Sequence, residues 1–145
     1  MDRREWISGV TGLAMASLAT TAQAQHEGHQ HHAVPPGRKA VIEAAGACVA
    51  RGEECLAHCL VLLSTGDKTL AACAQSVSET VAGCGALQKL AAQDSTFGKR
   101  MAGLVREMCK ACEDECRKHE DKHAECKACA EACVDCARAC EAYAA

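Results

Sequence analysis

The spacing of the cysteines near the C-terminus narrows the choice of fold more than any other feature of this chain. Cys126, Cys129, Cys133, Cys136 and Cys140 succeed one another at steps of 3, 4, 3 and 4, the a/d repeat of a helical seam with cysteine in place of leucine. Five thiols therefore line one face of one helix. Cys109, Cys112 and Cys116 repeat the scheme upstream, and Cys48, Cys55 and Cys59, at steps of 7 and 4, again share a single face. Cys73 and Cys84 are 11 apart, about three helical turns, and lie on one side as well. All thirteen cysteines can face one channel.

The residues between them read as helices. From Pro36 onward Val41, Ala45, Cys48, Gly52, Cys55, Cys59 and Leu62 recur at helical steps until Ser64-Thr65-Gly66-Asp67. There Gly66 suits a C-terminal cap and Asp67 or Thr69 the next N-cap. A second helix is predicted from about Lys68 to Ala92, with Leu70, Cys73, Val77, Val81, Cys84 and Leu87 or Gln88 in one stripe. Asp94 and Ser95 signal a further cap. A third helix follows from Thr96, with Met101 and Val105 ahead of its cysteines, and a fourth from about Asp121. No Gly or Pro forces a turn between Cys116 and Cys126. The ten-residue gap in the cysteine stepping nonetheless favours a hairpin near Glu120 over one very long helix. The expected fold is all-α, an antiparallel four-helix bundle with a Cys-lined core over residues 38–145. Leu, Ile, Val and Phe fill only 22 of 145 positions, so sulfur must supply much of the core volume.

Ahead of the bundle, residues 1–24 read as an export signal. Arg3 and Arg4 precede an apolar run from Val10 to Ala19 and the small-residue site Ala22-Gln23-Ala24. The arginine pair fits the twin-arginine (Tat) route. The run is too short and too interrupted for a membrane span, so the expected location is outside the cytoplasm, in the periplasm or an internal membrane lumen of a bacterium, without stable membrane insertion after cleavage. Residues 25–37 carry His26, His29, His31 and His32 and almost nothing apolar; they are expected to form a flexible tail that captures metal or serves as a spacer. A net charge of −3 with one Trp, one Tyr and one Phe offers nothing to follow a phosphate backbone or stack on bases, which excludes nucleic acid as a partner.

A channel of thiolates selects soft metal: Cu(I), zinc or an iron–sulfur centre. Closed zinc sites take four ligands in a tetrahedron, commonly from loops that wrap the ion, whereas a helix face offers thiols one turn apart, which suits two-coordinate Cu(I) bridged by Cys129 and Cys133 or by Cys136 and Cys140. Charge favours the same ion, because equal numbers of thiolate and Cu(I) leave a buried array neutral. The capacity would then approach roughly one ion per thiol. The iron–sulfur pattern lacks its trailing proline and its short loops. Zinc or another soft metal, and an exported disulfide-stapled scaffold, remain alternatives. A saturated thiol core has no open coordination position and no positioned acid–base pair, so no catalysis is expected.

Around the array His58 is either a nitrogen ligand beside Cys55 and Cys59 or a solvated neighbour. Met108 and Met101 offer thioethers but suit core filling at least as well. His119 and His123 fall in the expected hairpin as solvated residues or as ligands at a channel mouth. Gly83 and Gly85, flanking Cys84, weaken a helix unless a neighbour approaches closely.

Taken together, the Arg-Arg leader, the His-rich start, Cys55-Leu56-Ala57-His58-Cys59, Ala82-Gly83-Cys84-Gly85-Ala86-Leu87 and the runs Cys109 to Cys116 and Cys126 to Cys140 resemble the bacterial copper storage proteins over essentially the whole chain after the leader. The resemblance implies a four-helix bundle filled with Cu(I) and assembled as a homotetramer. It implies that all thirteen cysteines are ligands, with His58 and Met108 or Met101 as additional ones near the ends. That family has an exported branch with a leader and a cytosolic branch without one, and the leader here places the chain with the exported kind.

Overall fold

The computed structural model describes residues 33–145. The expected export signal of residues 1–24, and the His-rich tail up to residue 32, lie outside the described residues. Four helices follow: α1 (Pro36–Ser64), α2 (Ala71–Ala92), α3 (Gly98–Arg117) and α4 (Ala124–Ala144). Each packs on two neighbours, α1 on α2 and α4, and α3 on α2 and α4, so the bundle is square in section and antiparallel between chain neighbours. The expected all-α bundle is the one observed. None of the described helices is long and apolar enough to cross a membrane.

The helix ends follow local chemistry. Pro36 opens α1, where its fixed φ fits and its missing N–H costs nothing, so the helix begins two residues before the expected bundle boundary at 38. At its far end Gly66 takes φ 92°, and the amides of Gly66 and Asp67 donate to the carbonyls of Leu63 and Leu62, a Schellman closure. Asp67 accepts from the amide and hydroxyl of Thr69 at 2.9 and 2.7 Å. This Asx turn consumes the side chain expected to cap α2, which therefore starts later, at Ala71. The turn after α2 departs similarly. Asp94 holds φ 53° and the Ser95 amide reaches back to Leu90, so Asp94 closes α2 rather than opening α3. Ser95 Oγ accepts the Phe97 amide at 3.3 Å, and α3 starts at Gly98.

The hairpin near Glu120 is present without a helix breaker. Arg117 pairs with Glu113 and Glu120, successive tight turns carry the chain from Lys118, and His123 swings to an extended conformation to start α4.

Candidate metal centre

The seam positions predicted from the cysteine steps all point inward, and every one of the thirteen thiols is buried and unbridged. Helix register sorts them along the axis. Nearest the hairpin end, Cys55 and Cys59 of α1, Cys73 of α2 and Cys126 of α4 bring their sulfurs within 4.8 Å of one another. Deeper in the bundle Cys48, Cys84, Cys109 and Cys136, one from each helix, form a second such group. Between them stand Cys112 and Cys116 of α3 and Cys129 and Cys133 of α4, which form overlapping groups with Cys55 on one side and with each other. Cys140 continues past Cys136.

Contacts between sulfurs run from 3.6 Å (Cys73 to Cys116) through 3.8 Å (Cys55 to Cys126, Cys48 to Cys133, Cys84 to Cys136) to 4.0 Å (Cys112 to Cys116 and to Cys129). A metal–sulfur bond near the zinc–thiolate value of about 2.3 Å places two sulfurs about 3.8 Å apart at a tetrahedral angle and about 4.6 Å apart in line. These sulfur contacts lie at the spacing of two ligands on one metal ion.

The thiols are buried and bonded to one another, so their acidities diverge. Cys48 is held well below the ordinary thiol range by hydrogen bonds from Cys109, Cys133, Cys136 and Cys84. Cys112 is lowered by Cys116, Cys129 and Cys133, with the Thr80 hydroxyl adding to them. Cys116 is pushed up by its bonds with Cys112, Cys129, Cys55 and Cys73, and Cys133 by those with Cys109, Cys112, Cys129 and Cys48, with burial acting in the same direction. A thiolate here is stabilised only by a neighbour that keeps its proton. A monovalent soft cation can replace that proton throughout the array without leaving net charge, whereas a divalent ion among four thiolates leaves −2.

The two ends differ. Above the hairpin-end group, His58 Nε2 and His123 Nδ1 lie 2.9 Å apart, and the other nitrogen of His58 faces a Glu125 carboxylate oxygen at 3.7 Å. An open recess there is lined by Glu54, Ala57, His58, Val61 and Glu125. The sequence offered His58 and His123 separately, and Glu125 escaped it because only the hairpin brings the start of α4 beside α1. His119 lies half-buried in the same hairpin. At the opposite end Val41, Ala45, Leu87, Ala91, Ala102 and Val105 are fully buried and close the bundle with hydrocarbon. Met101 packs against this plug. Met108 is half-buried, and its sulfur would lie 2.8 Å from a Cβ at Gly83, so the close approach expected at Gly83 is a thioether seated on α2. No such neighbour stands at Gly85.

This fold and this file of sulfurs define a class of protein, helical bundles that hold soft metal ions in their core. The family model described as copper storage protein matches residues 36–145, and the chain belongs to that family. It is 35% identical over 107 residues to the uncharacterized cysteine-rich protein YhjQ of Bacillus subtilis (strain 168), covering 74% of this chain and 95% of the relative. The Cu(I)-bound copper storage protein BsCsp3 of Bacillus subtilis superimposes with a TM-score of 0.67 at 33% identity, over 75% of this chain and 99% of that one. A cytosolic copper storage protein from Streptomyces lividans, solved with five coppers, gives a TM-score of 0.68 at 26% identity over 75% and 93% of the two chains.

The expectation of an exported protein is corrected here. The Streptomyces lividans neighbour is described as cytosolic, which points to the cytoplasm rather than to the periplasm or a membrane lumen. A pair of arginines before a short apolar run is an address only when a receptor reads it.

Proposed function

We propose that this chain stores copper as Cu(I), with all thirteen cysteines as thiolate ligands and a capacity near one ion per thiol. The observation that carries this reading is the file of thirteen buried, unbridged sulfurs, with contacts of 3.6 to 4.0 Å among many of them and groups of three and four within 4.8 Å, which offers far more ligands than one structural site needs. Neutrality selects a monovalent ion for so many adjacent thiolates. Copper enters beneath His58 and His123, with His58 as the outermost ligand, because the other end is sealed by Val41, Leu87 and Val105. Met108 stays outside the proposed ligand set, since its sulfur packs at Gly83. The protein works by binding and release rather than by turnover: a filled thiol core leaves no open coordination position for a substrate. On the family resemblance the bundles assemble as homotetramers, which light scattering on the purified protein checks directly.

Zinc is the second reading, favoured by the four-sulfur groups of Cys55, Cys59, Cys73 and Cys126 and of Cys48, Cys84, Cys109 and Cys136, each of which has the ligand number of a closed zinc site. Anaerobic titration of the reduced protein with Cu(I), against a colorimetric competing chelator, separates the two. Tight uptake of roughly one Cu(I) per thiol supports storage. Uptake of one ion or none, or of two zinc ions that Cu(I) fails to displace, overturns it.

A further inference from the structure

The sulfurs do not fill the channel evenly. Midway along the bundle the α1 and α2 walls carry none: α1 presents Gly52 and α2 presents Val77 and Thr80 between Cys73 and Cys84. Here α1 sits so close to α2 that a Cβ on Gly52 would lie 2.5 Å from Val81 Cγ2 and 3.6 Å from Val77 Cγ1. The Thr80 hydroxyl is turned to the Met108 carbonyl at 3.3 Å. At this level the thiols are Cys112 of α3 and Cys133 of α4, and Cys116 and Cys129, one turn nearer the hairpin, already reach Cys73 and Cys55.

Within that bridge one sulfur holds a special place. On the hairpin side Cys133 groups with Cys112 and Cys129; on the deep side it lies 3.8 Å from Cys48, which groups with Cys84, Cys109 and Cys136. The other sulfur contacts of 4.0 Å or less stay on one side or the other: Cys55 with Cys126, Cys73 with Cys116 and Cys112 with Cys116 and Cys129 toward the hairpin, Cys84 with Cys109 and Cys136 in the interior. A copper ion that leaves thiolate ligands inside a protein meets a prohibitive desolvation cost, so it moves only where the next sulfur is within reach of the last.

Building on the storage reading, we propose that Cys133 is the transfer ligand through which Cu(I) passes between an outer pool near the hairpin and an inner pool at Cys48, Cys84, Cys109, Cys136 and Cys140. The step is ligand exchange without redox change. Cys133 Sγ forms a bond to Cu(I) as Cys112 or Cys129 releases it; the proton displaced from the receiving thiol returns to the sulfur that is vacated. The ion then passes to Cys48 or Cys109 in the same way. Cys133 thus governs how fast the inner pool fills, more than how much the protein holds.

Rapid mixing of the reduced full-length protein with Cu(I), followed by the near-ultraviolet charge-transfer absorbance of copper–thiolate bonds, tests this. Wild type is expected to fill both pools in a continuous process. Cys133→Ala is expected to fill the outer pool at the wild-type rate and the inner pool about tenfold more slowly or worse, the effect of a barrier raised on the order of 1.4 kcal/mol. Cys140→Ala, which also removes one thiol but cuts no path, should fill like wild type. Adding Cys84→Ala and Cys136→Ala to Cys133→Ala should remove most of the slow amplitude. Cys133→Ser keeps the size of the side chain and gives a second reading should the alanine variant fold poorly by circular dichroism; it too should show the slow phase. Uptake by both position-133 variants at the rate of Cys140→Ala, or a slow phase that survives loss of the inner thiols, overturns the transfer role while leaving storage intact. A wild type that takes up one ion or none overturns storage itself.

Discussion

The two ends of the bundle differ in one respect: polar side chains approach the sulfurs at only one of them. The far end is a hydrocarbon plug of Val41, Leu87 and Val105, all fully buried, backed by alanines that let the helices draw together. The hairpin end buries Leu70 beside α1 and α2, but on the α1–α4 side it carries polar groups, with His58 against His123 and Glu125 beside them, near the four sulfurs of Cys55, Cys59, Cys73 and Cys126. The plug has only one arrangement that keeps it dry, whereas the roof's ring nitrogens can exchange one another for water or for an ion. The difference teaches that stability and access are allotted to separate ends of one small fold, with the metal array between them owing something to each.

The largest test of that division is metal itself. Loading is expected to raise the free energy of unfolding by on the order of 10 kcal/mol or more, the scale of structural thiolate sites, as read by anaerobic urea denaturation with and without Cu(I). In the apo protein the plug should dominate. Leu87→Ala is expected to cost about 2 to 5 kcal/mol, and the same substitution should move the midpoint of the loaded protein far less, since copper then ties the helices together. Equal losses in both states would show that the plug and the metal do not share the work of holding the bundle closed. At the roof, His58→Ala with His123→Ala removes one hydrogen bond between half-buried rings and should cost only about 1 kcal/mol. That double variant should slow Cu(I) uptake while leaving the thiols to fill; unchanged uptake would contradict entry through the roof. The smallest effect belongs to the exposed hairpin, where Lys118→Ala, which breaks a surface ion pair with Glu115, should change stability by no more than about 0.5 kcal/mol.

Much of this was legible in the sequence because cysteine marks its own face. Steps of 3 and 4 place side chains on one stripe whatever surrounds them, so the inward direction of the thiols followed from spacing, while the count of helices also needed the cap signals at Gly66 and Asp94 and the gap after Cys116. The turns were read less well. Asp67 and Asp94 have the composition of N-caps, yet Asp67 is engaged by Thr69 and Asp94 terminates the preceding helix at φ 53°. Both outcomes use the same short polar side chain, and only the path of the next helix decides between them. The meeting of His58 with His123 and Glu125, and the position of Cys133 between two sulfur groups, were out of reach for another reason. Periodicity gives the face of each helix but not the axial register of four helices against one another, and those contacts span 65 and 85 residues of chain. Met108 fell between the two: its helix face was evident, but that it would seat on Gly83 depended on how closely α2 and α3 approach.

The close seating of α1 on α2 at Gly52 also sets where this container can be enlarged. Thr80 already holds a buried side chain beside Cys112 in the sulfur-free stretch of wall, so cysteine there would add a ligand with little change in volume. At position 52 any side chain collides with Val81 unless the helices separate. Growth in capacity is therefore open to α2 and barred to α1, and a bundle that widened that way would gain a second lane for its cargo.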